Sequence, residues 1–162
     1  MHWYFDSSAL LKTVLRESET DELIAVMGMF QELGDTFATS ALSQVEVSRA
    51  IRRAGLAEEP SYQQALKGMD CFDISAAVIE EAKSIGTAGL RSLDAIHLAT
   101  ARLTKADAVV TYDERMIQAC MDSGVATARP GVGNIKLPEG WHWAADDLPD
   151  VEDCPIDWTD WA

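Results

Sequence analysis

Two aspartates stand directly behind short apolar runs: Asp6 follows Trp3-Tyr4-Phe5, and Asp113 follows Val109-Val110-Thr111-Tyr112. In an open parallel sheet the crevice that binds ligands lies beyond the carboxyl ends of the strands. An acid at the last position of a strand therefore faces the place where chemistry is done, and the chemistry open to a carboxylate there includes holding a hard cation. A single acid of this kind is also explained as a helix N-cap. Two of them, behind two of the most apolar segments of the chain, weaken that explanation.

Two further acids sit in helical patterns. Glu46 lies in ALSQVEVSRAIRRAG, on the margin of the apolar face made by Val47, Ala50, Ile51 and Ala54, with Arg49 and Arg53 one and two turns on. Asp94 is a first-turn acid in RSLDAIHLATARL. Taken singly, Glu46 reads as a solvated helix residue and Asp94 as one that complements the helix dipole.

The elements that must position these residues alternate in type. HWYF predicts a strand ending at Asp6, and DSSALLKTVLRES a helix capped by Ser7 or Ser8. DELIAVMGMFQEL predicts a helix stopped by Gly34, DTFATS a buried strand, and SQVEVSRAIRRAG a helix from near Ser43 to Gly55. PSYQQALKGM follows as helix, CFDIS as strand, AAVIEEAKSIG as helix, and SLDAIHLATARLTKA as a helix capped by Ser92. ADAVVTYD, DERMIQACMDSG and VATA then give strand, helix and strand. Strands joined by helical crossovers must run parallel and be covered on both faces. The expected fold is therefore α/β, a three-layer sandwich with a four- or five-stranded parallel sheet.

A chain of 162 residues has room for one domain with one core, and its 48% hydrophobic content excludes a disordered polyanion. The net charge is -14, from 13 basic and 27 acidic residues. That balance argues against a passive nucleic-acid coat or a binder of anionic membranes, so any contact with phosphate must be local or carried by metal. Three widely spaced cysteines, Cys71, Cys120 and Cys154, with no CxxC, suit a reducing compartment and neither a disulfide scaffold nor a zinc site. The N-terminal segment has no basic region, and its apolar run is broken by Asp6, unlike a signal peptide. A cytoplasmic protein with no membrane contact is expected.

Four segments, YFDSSALLK, SALSQVEVSRA, RSLDAIHLATA and VVTYDERM, resemble the four acidic motifs of PIN domains, in order, across residues 3–128. Within that family the resemblance is closest to the VapC-like toxins of toxin-antitoxin pairs. It implies a ribonuclease that depends on magnesium or manganese, with Asp6, Glu46, Asp94 and Asp113 as catalytic, metal-binding acids. Such a cluster is chemically coherent. Four carboxylates in one crevice repel, and hard divalent cations with oxygen ligands remove the conflict. Two hydroxyls match the family's supporting positions: Ser8, which equally reads as a simple cap, and Thr111. Arg49, Arg53 and Arg91, with Arg52 nearby, are candidates for phosphate contact or members of a solvated helix face. His97 reads as a packing or surface residue. The resemblance also implies a homodimer and a small antitoxin partner, to which the apolar second helix (Leu23, Met27, Met29, Phe30) offers a surface if those residues are not simply core. A catalytically inert PIN-like binding module, or an RNA-processing nuclease outside a toxin-antitoxin pair, are the alternatives. A haloacid-type phosphatase is disfavoured because the first strand is followed by DSS and not by DxD.

The resemblance stops short of the end of the chain. We divide the sequence into a nuclease-like domain, 1–130, and an acidic extension, 131–162. No Lys or Arg follows Lys136, whereas eight acids do, together with Trp141, Trp143, Trp158 and Trp161. The tryptophans bury large apolar area only if they are covered. Two explanations stand: packing on the body or a dimer mate, or lying near the groove as a mimic of nucleic acid.

Overall fold

A computed structural model describes residues 1–86 and 89–132. The acidic extension, with its tryptophans and Cys154, lies outside the described residues apart from its first two positions. Five strands form one fully parallel sheet: β1 (His2–Phe5), β2 (Thr36–Ser40), β3 (Met69–Phe72), β4 (Ala108–Val110) and β5 (Ala126–Ala128), in the order β3-β2-β1-β4-β5. Seven helices connect them: α1 (Ser7–Lys12), α2 (Thr20–Glu32), α3 (Ala41–Ala54), α4 (Glu58–Ala65), α5 (Ala76–Ser84), α6 (Ser92–Leu103) and α7 (Glu114–Asp122). The expected three-layer α/β fold with a parallel sheet is the observed one.

The period-2 alternation of the strands sorts the core into two layers. Trp3 and Phe5 of β1, Phe37 of β2 and Val110 of β4 face α1 to α4, where Leu10, Leu23, Phe30, Val47 and Ile51 complete the cluster. Trp3 stacks on Phe30 at 4.2 Å between ring centroids, and Phe5 meets Phe37 at 5.1 Å. Tyr4, Ala38 and Val109 point the other way, onto Leu98 of α6 and Met116 and Cys120 of α7. The apolar side chains of the second helix are spent here: Leu23 and Phe30 are core, and Met27 and Met29 pack against it.

Several boundaries differ from the sequence pattern, each for a local reason. Helix α1 stops at Lys12, because the Thr13 hydroxyl bonds back to the Leu10 carbonyl at 2.7 Å and Lys12 turns to pair with Glu17 and Glu19. Its cap is Asp6 and not Ser7 or Ser8. Ser40 caps α3, so that helix begins at Ala41 and not near Ser43. Arg91, not Ser92, occupies the N-cap position of α6, without a side-chain cap bond. Strand β3 lies two to three residues earlier than CFDIS, pairing Met69 to Phe72 with Phe37 to Ser40. It is an edge strand with exposed side chains, so burial leaves no pattern to read.

The sheet order reverses at β1, which pairs with β2 on one side and β4 on the other. That reversal opens a crevice beyond the carboxyl ends of β1 and β4. Phe5, fully buried one residue before Asp6, anchors the crevice from below. Phe5→Ala is expected to destabilise the domain by about 3–5 kcal/mol, the usual cost of deleting a buried ring. Urea unfolding followed by circular dichroism measures it, with a lowered midpoint as the expected outcome.

Candidate active site

A cavity of about 700 Å³ occupies the crevice, and its lining includes all four sequence-predicted acids: Asp6, Glu46, Asp94 and Asp113. Each comes from a different place. Asp6 directly follows β1 and caps α1, Glu46 stands on the second turn of α3, Asp94 on the first turn of α6, and Asp113, three residues beyond β4 and not at the last position of that strand, caps α7.

Asp6 is the most buried of the four, at 5% exposure. Its Oδ1 accepts from the Ala9 amide at 3.0 Å and from the Ser8 hydroxyl at 2.6 Å, and its Oδ2 from the Thr111 hydroxyl at 2.5 Å. Burial raises its pKa above the ordinary carboxylate value and outweighs these bonds, which act the other way. The same two hydroxyls reach the next loop. Ser8 Oγ accepts from the Tyr112 amide at 2.9 Å, and Thr111 Oγ1 from the Asp113 amide at 3.2 Å. Ser8 and Thr111 thus join the end of β1 to the segment that carries Asp113.

Asp94 is half-buried, and its Oδ2 is shielded from water without a hydrogen-bond partner. Burial, and then the charge of Asp113, raise its pKa, only partly offset by Arg91, His97 and Arg115. Asp113 takes the Arg115 amide on Oδ1 at 2.8 Å, and Arg115 lies 3.6 Å from its other oxygen. Glu46 behaves differently. Burial pushes its pKa up, but bonds from His97 and Ser7 to Oε2 prevail and hold it below the ordinary value.

The arginines divide. Arg49, Arg53 and Arg91 line the cavity. Arg52 points away and pairs with Glu58 at 2.9 Å, so it does not join them. The mouth also has an apolar rim, with Val45 57% and Leu93 46% exposed. Ser7 and His97 are the site residues that sequence reasoning missed. His97 follows Asp94 by three positions on one helix, a spacing that shares a face and was the available signal.

The donor set fits a hard divalent cation: the four acids offer oxygen only, one buried oxygen lacks a partner, and two carboxyls are pushed toward protonation. Among the described residues no three acidic, histidine or cysteine side chains stand gathered closely enough to hold an ion as they are.

Comparison with known proteins decides the family, since the PIN domain family model matches residues 3–120. The chain belongs to the PIN domain family. It is 41% identical over 131 residues to Ribonuclease VapC47 of Mycobacterium tuberculosis, covering 79% of this chain and 96% of that protein. It is 39% identical over 132 residues to Ribonuclease VapC35 of the same species, again over 79% and 96%. These relatives put the PIN chain in the VapC ribonuclease branch. The fold agrees with solved structures. VapC20 of Mycobacterium tuberculosis, described as a sarcin-ricin loop cleaving toxin, superposes with a TM-score of 0.61 at 13% identity over 79% of this chain and 99% of that one. VapBC2 from Rickettsia felis, bound to a promoter DNA fragment, gives 0.55 at 14% identity over 70% and 89%.

The raised pKa of Asp94 has a thermodynamic consequence. A carboxyl that binds its proton more tightly folded than unfolded contributes stability that is complete below the unfolded value, about pH 4, and lost as pH rises through the folded value. Without metal, Asp94→Asn is therefore expected to melt a few degrees above the parent at pH 7, with the gap closing as pH falls toward 4. Adding manganese should reverse the order, because only the parent gains from binding. Thermal melts with EDTA and with manganese, across that pH range, make the comparison.

Proposed function

We propose that this chain hydrolyses RNA phosphodiester bonds with the help of a divalent cation, magnesium or manganese, held by Asp6, Glu46, Asp94 and Asp113. The observation that carries the reading is the meeting of four acids, from four separate elements, in one cavity at the switch point of the sheet. VapC relatives at 35% to 41% identity are named ribonucleases, which supports the same activity here.

The roles of the chain's own groups follow from their surroundings. Asp6 is the fixed member, because Ser8, Thr111 and the Ala9 amide hold both its oxygens. The charge of Asp113 disfavours ionisation of Asp94, a cost that a divalent cation held by these acids would offset. Arg49, Arg53 and Arg91 are free to meet phosphates flanking the scissile bond, local positive charge in a chain whose net charge is -14. Val45, Leu42 and Leu93 offer apolar surface beside them for bases or for a protein partner. A divalent cation held by these acids would supply charge to polarise the scissile phosphate and to lower the pKa of a water for attack at phosphorus. Hydrolysis of that kind would leave 5'-phosphate and 3'-hydroxyl ends.

In the wider reading the chain is the toxin of a toxin-antitoxin pair, cytoplasmic, homodimeric, and restrained by a small antitoxin. No helix of the described residues is long and apolar enough to cross a membrane. An inert PIN-like module would retain the fold and lack the cleavage.

Cleavage of a structured RNA is expected to stop with EDTA and to return with magnesium or manganese, and to fall to background in Asp6→Asn. Metal-independent cleavage leaving 2',3'-cyclic phosphate would sink the assignment. For RNA binding, Arg53→Ala should weaken affinity across sequences and lower the slope of log affinity against log salt by about 1. An unchanged slope would remove Arg53 from the phosphate path.

A further inference from the structure

His97 is 3% exposed, yet both of its ring nitrogens have partners. Nδ1 lies 2.7 Å from the Tyr4 hydroxyl, and Nε2 lies 2.8 Å from Glu46 Oε2. Tyr4 is itself fully buried in the central strand, edge-on to the imidazole at 6.0 Å between ring centroids. A neutral imidazole has one donor and one acceptor, and an ionised carboxylate only accepts. The Nε2–H therefore donates to Glu46 whether the ring is neutral or protonated, while at Nδ1 the Tyr4 hydroxyl, able to donate or accept, matches either form. The Ser7 hydroxyl supplies a second donor to the same oxygen, Oε2. Among the described residues, Glu46 Oε1 takes part in no such bond.

We propose that Tyr4 and His97 are positioning residues, a buried relay that fixes Glu46 through Oε2 and leaves Oε1 to bind the divalent cation. The inference rests on the reading of the four acids as a metal site. Its logic is mechanical. Glu46 sits on a long side chain, and a carboxylate that must give one oxygen to a cation holds it best when the other oxygen is tethered, since the ion then meets an ordered ligand. A tether from a surface residue would move with solvent. One that passes through the core to the central strand is fixed by the packing of the fold. Simple packing explains a buried ring of this size, but not the pairing of both nitrogens with a hydroxyl on one side and a carboxylate on the other.

Substitutions separate the two explanations. His97→Leu fills space without a donor, whereas His97→Gln keeps an N–H able to reach Glu46. The measurement is manganese binding to the full chain freed of metal, by calorimetry and by the electron paramagnetic resonance of the free ion, without RNA. His97→Leu is expected to weaken manganese binding by about 10- to 100-fold, the usual effect of losing a hydrogen bond to a metal ligand, and His97→Gln to recover most of it. Tyr4→Phe, which removes one oxygen and keeps the ring, should weaken binding in the same direction by a smaller factor.

Wild-type affinity in folded His97→Leu overturns the proposal, as does a His97→Gln protein no better than the leucine variant. If His97→Leu fails to fold, Tyr4→Phe decides, and unchanged affinity there overturns it. Asp94→Asn in the same titration tells the two levels apart. If Asp94→Asn binds manganese like the parent, or the parent binds none, the metal-site reading fails and takes the relay with it. If Asp94→Asn loses binding while His97→Leu and Tyr4→Phe keep it, the relay alone fails.

Discussion

The buried carboxylate of Asp6 is the constraint around which the rest is arranged. A carboxylate at 5% exposure is costly unless donors surround it, and here three do. Each of those bonds also fixes something else. The Ala9 amide makes Asp6 the start of α1, while Ser8 and Thr111 carry the linkage across the sheet reversal to the amides of Tyr112 and Asp113. The two strand ends that frame the crevice are therefore held in register by side-chain bonds as well as by the β1–β4 ladder. Even so, burial prevails in setting the pKa of Asp6, so the arrangement is stabilised for a charge that the protein alone does not fully support.

The four acids differ in how far the fold meets their charge. Asp113 shows the contrast, for it also caps a helix, but at the rim and with an arginine beside it. Asp94 lies between the two cases, lacking a partner for one oxygen and facing Asp113. Hydrogen bonds from His97 and Ser7 prevail at Glu46, burial prevails over the hydrogen bonds at Asp6, and at Asp94 burial and the charge of Asp113 prevail.

Much of this was legible in the residues. Asp6 could be placed because strand ends in a parallel sheet have a fixed meaning, and the alternation of strand and helix made the sheet parallel; Asp113 falls three residues past the end of β4, at the cap of α7, because that strand stops at Val110. At α1 Asp and Ser compete for the same cap and the backbone gives it to Asp6, whereas at α6 the N-cap position falls to Arg91, which makes no side-chain cap bond that a residue type could announce. Strand β3 was displaced, because an exposed edge has no burial pattern. The contacts of His97 were beyond reach for a different reason. Its partners, Tyr4 and Glu46, are 93 and 51 residues away in sequence, and nothing local to α6 encodes them. The spacing from Asp94 puts His97 on the right face, but the identity of what it meets is a property of the packed layers.

Those layers explain why one short strand can serve two acids at once. Side chains on a strand alternate, so Tyr4 leaves β1 on one side and Trp3 and Phe5 on the other, with Asp6 directly after the strand. Trp3 and Phe5 anchor the face covered by α1 to α4. Tyr4 meets α6, where it bonds to His97. A shift of one residue in the register of β1 would send Tyr4 to the wrong layer and separate His97 from its partner. The apolar demands of the core, which fix that register through Trp3 and Phe5, are in this way the same demands that align the polar groups of the site.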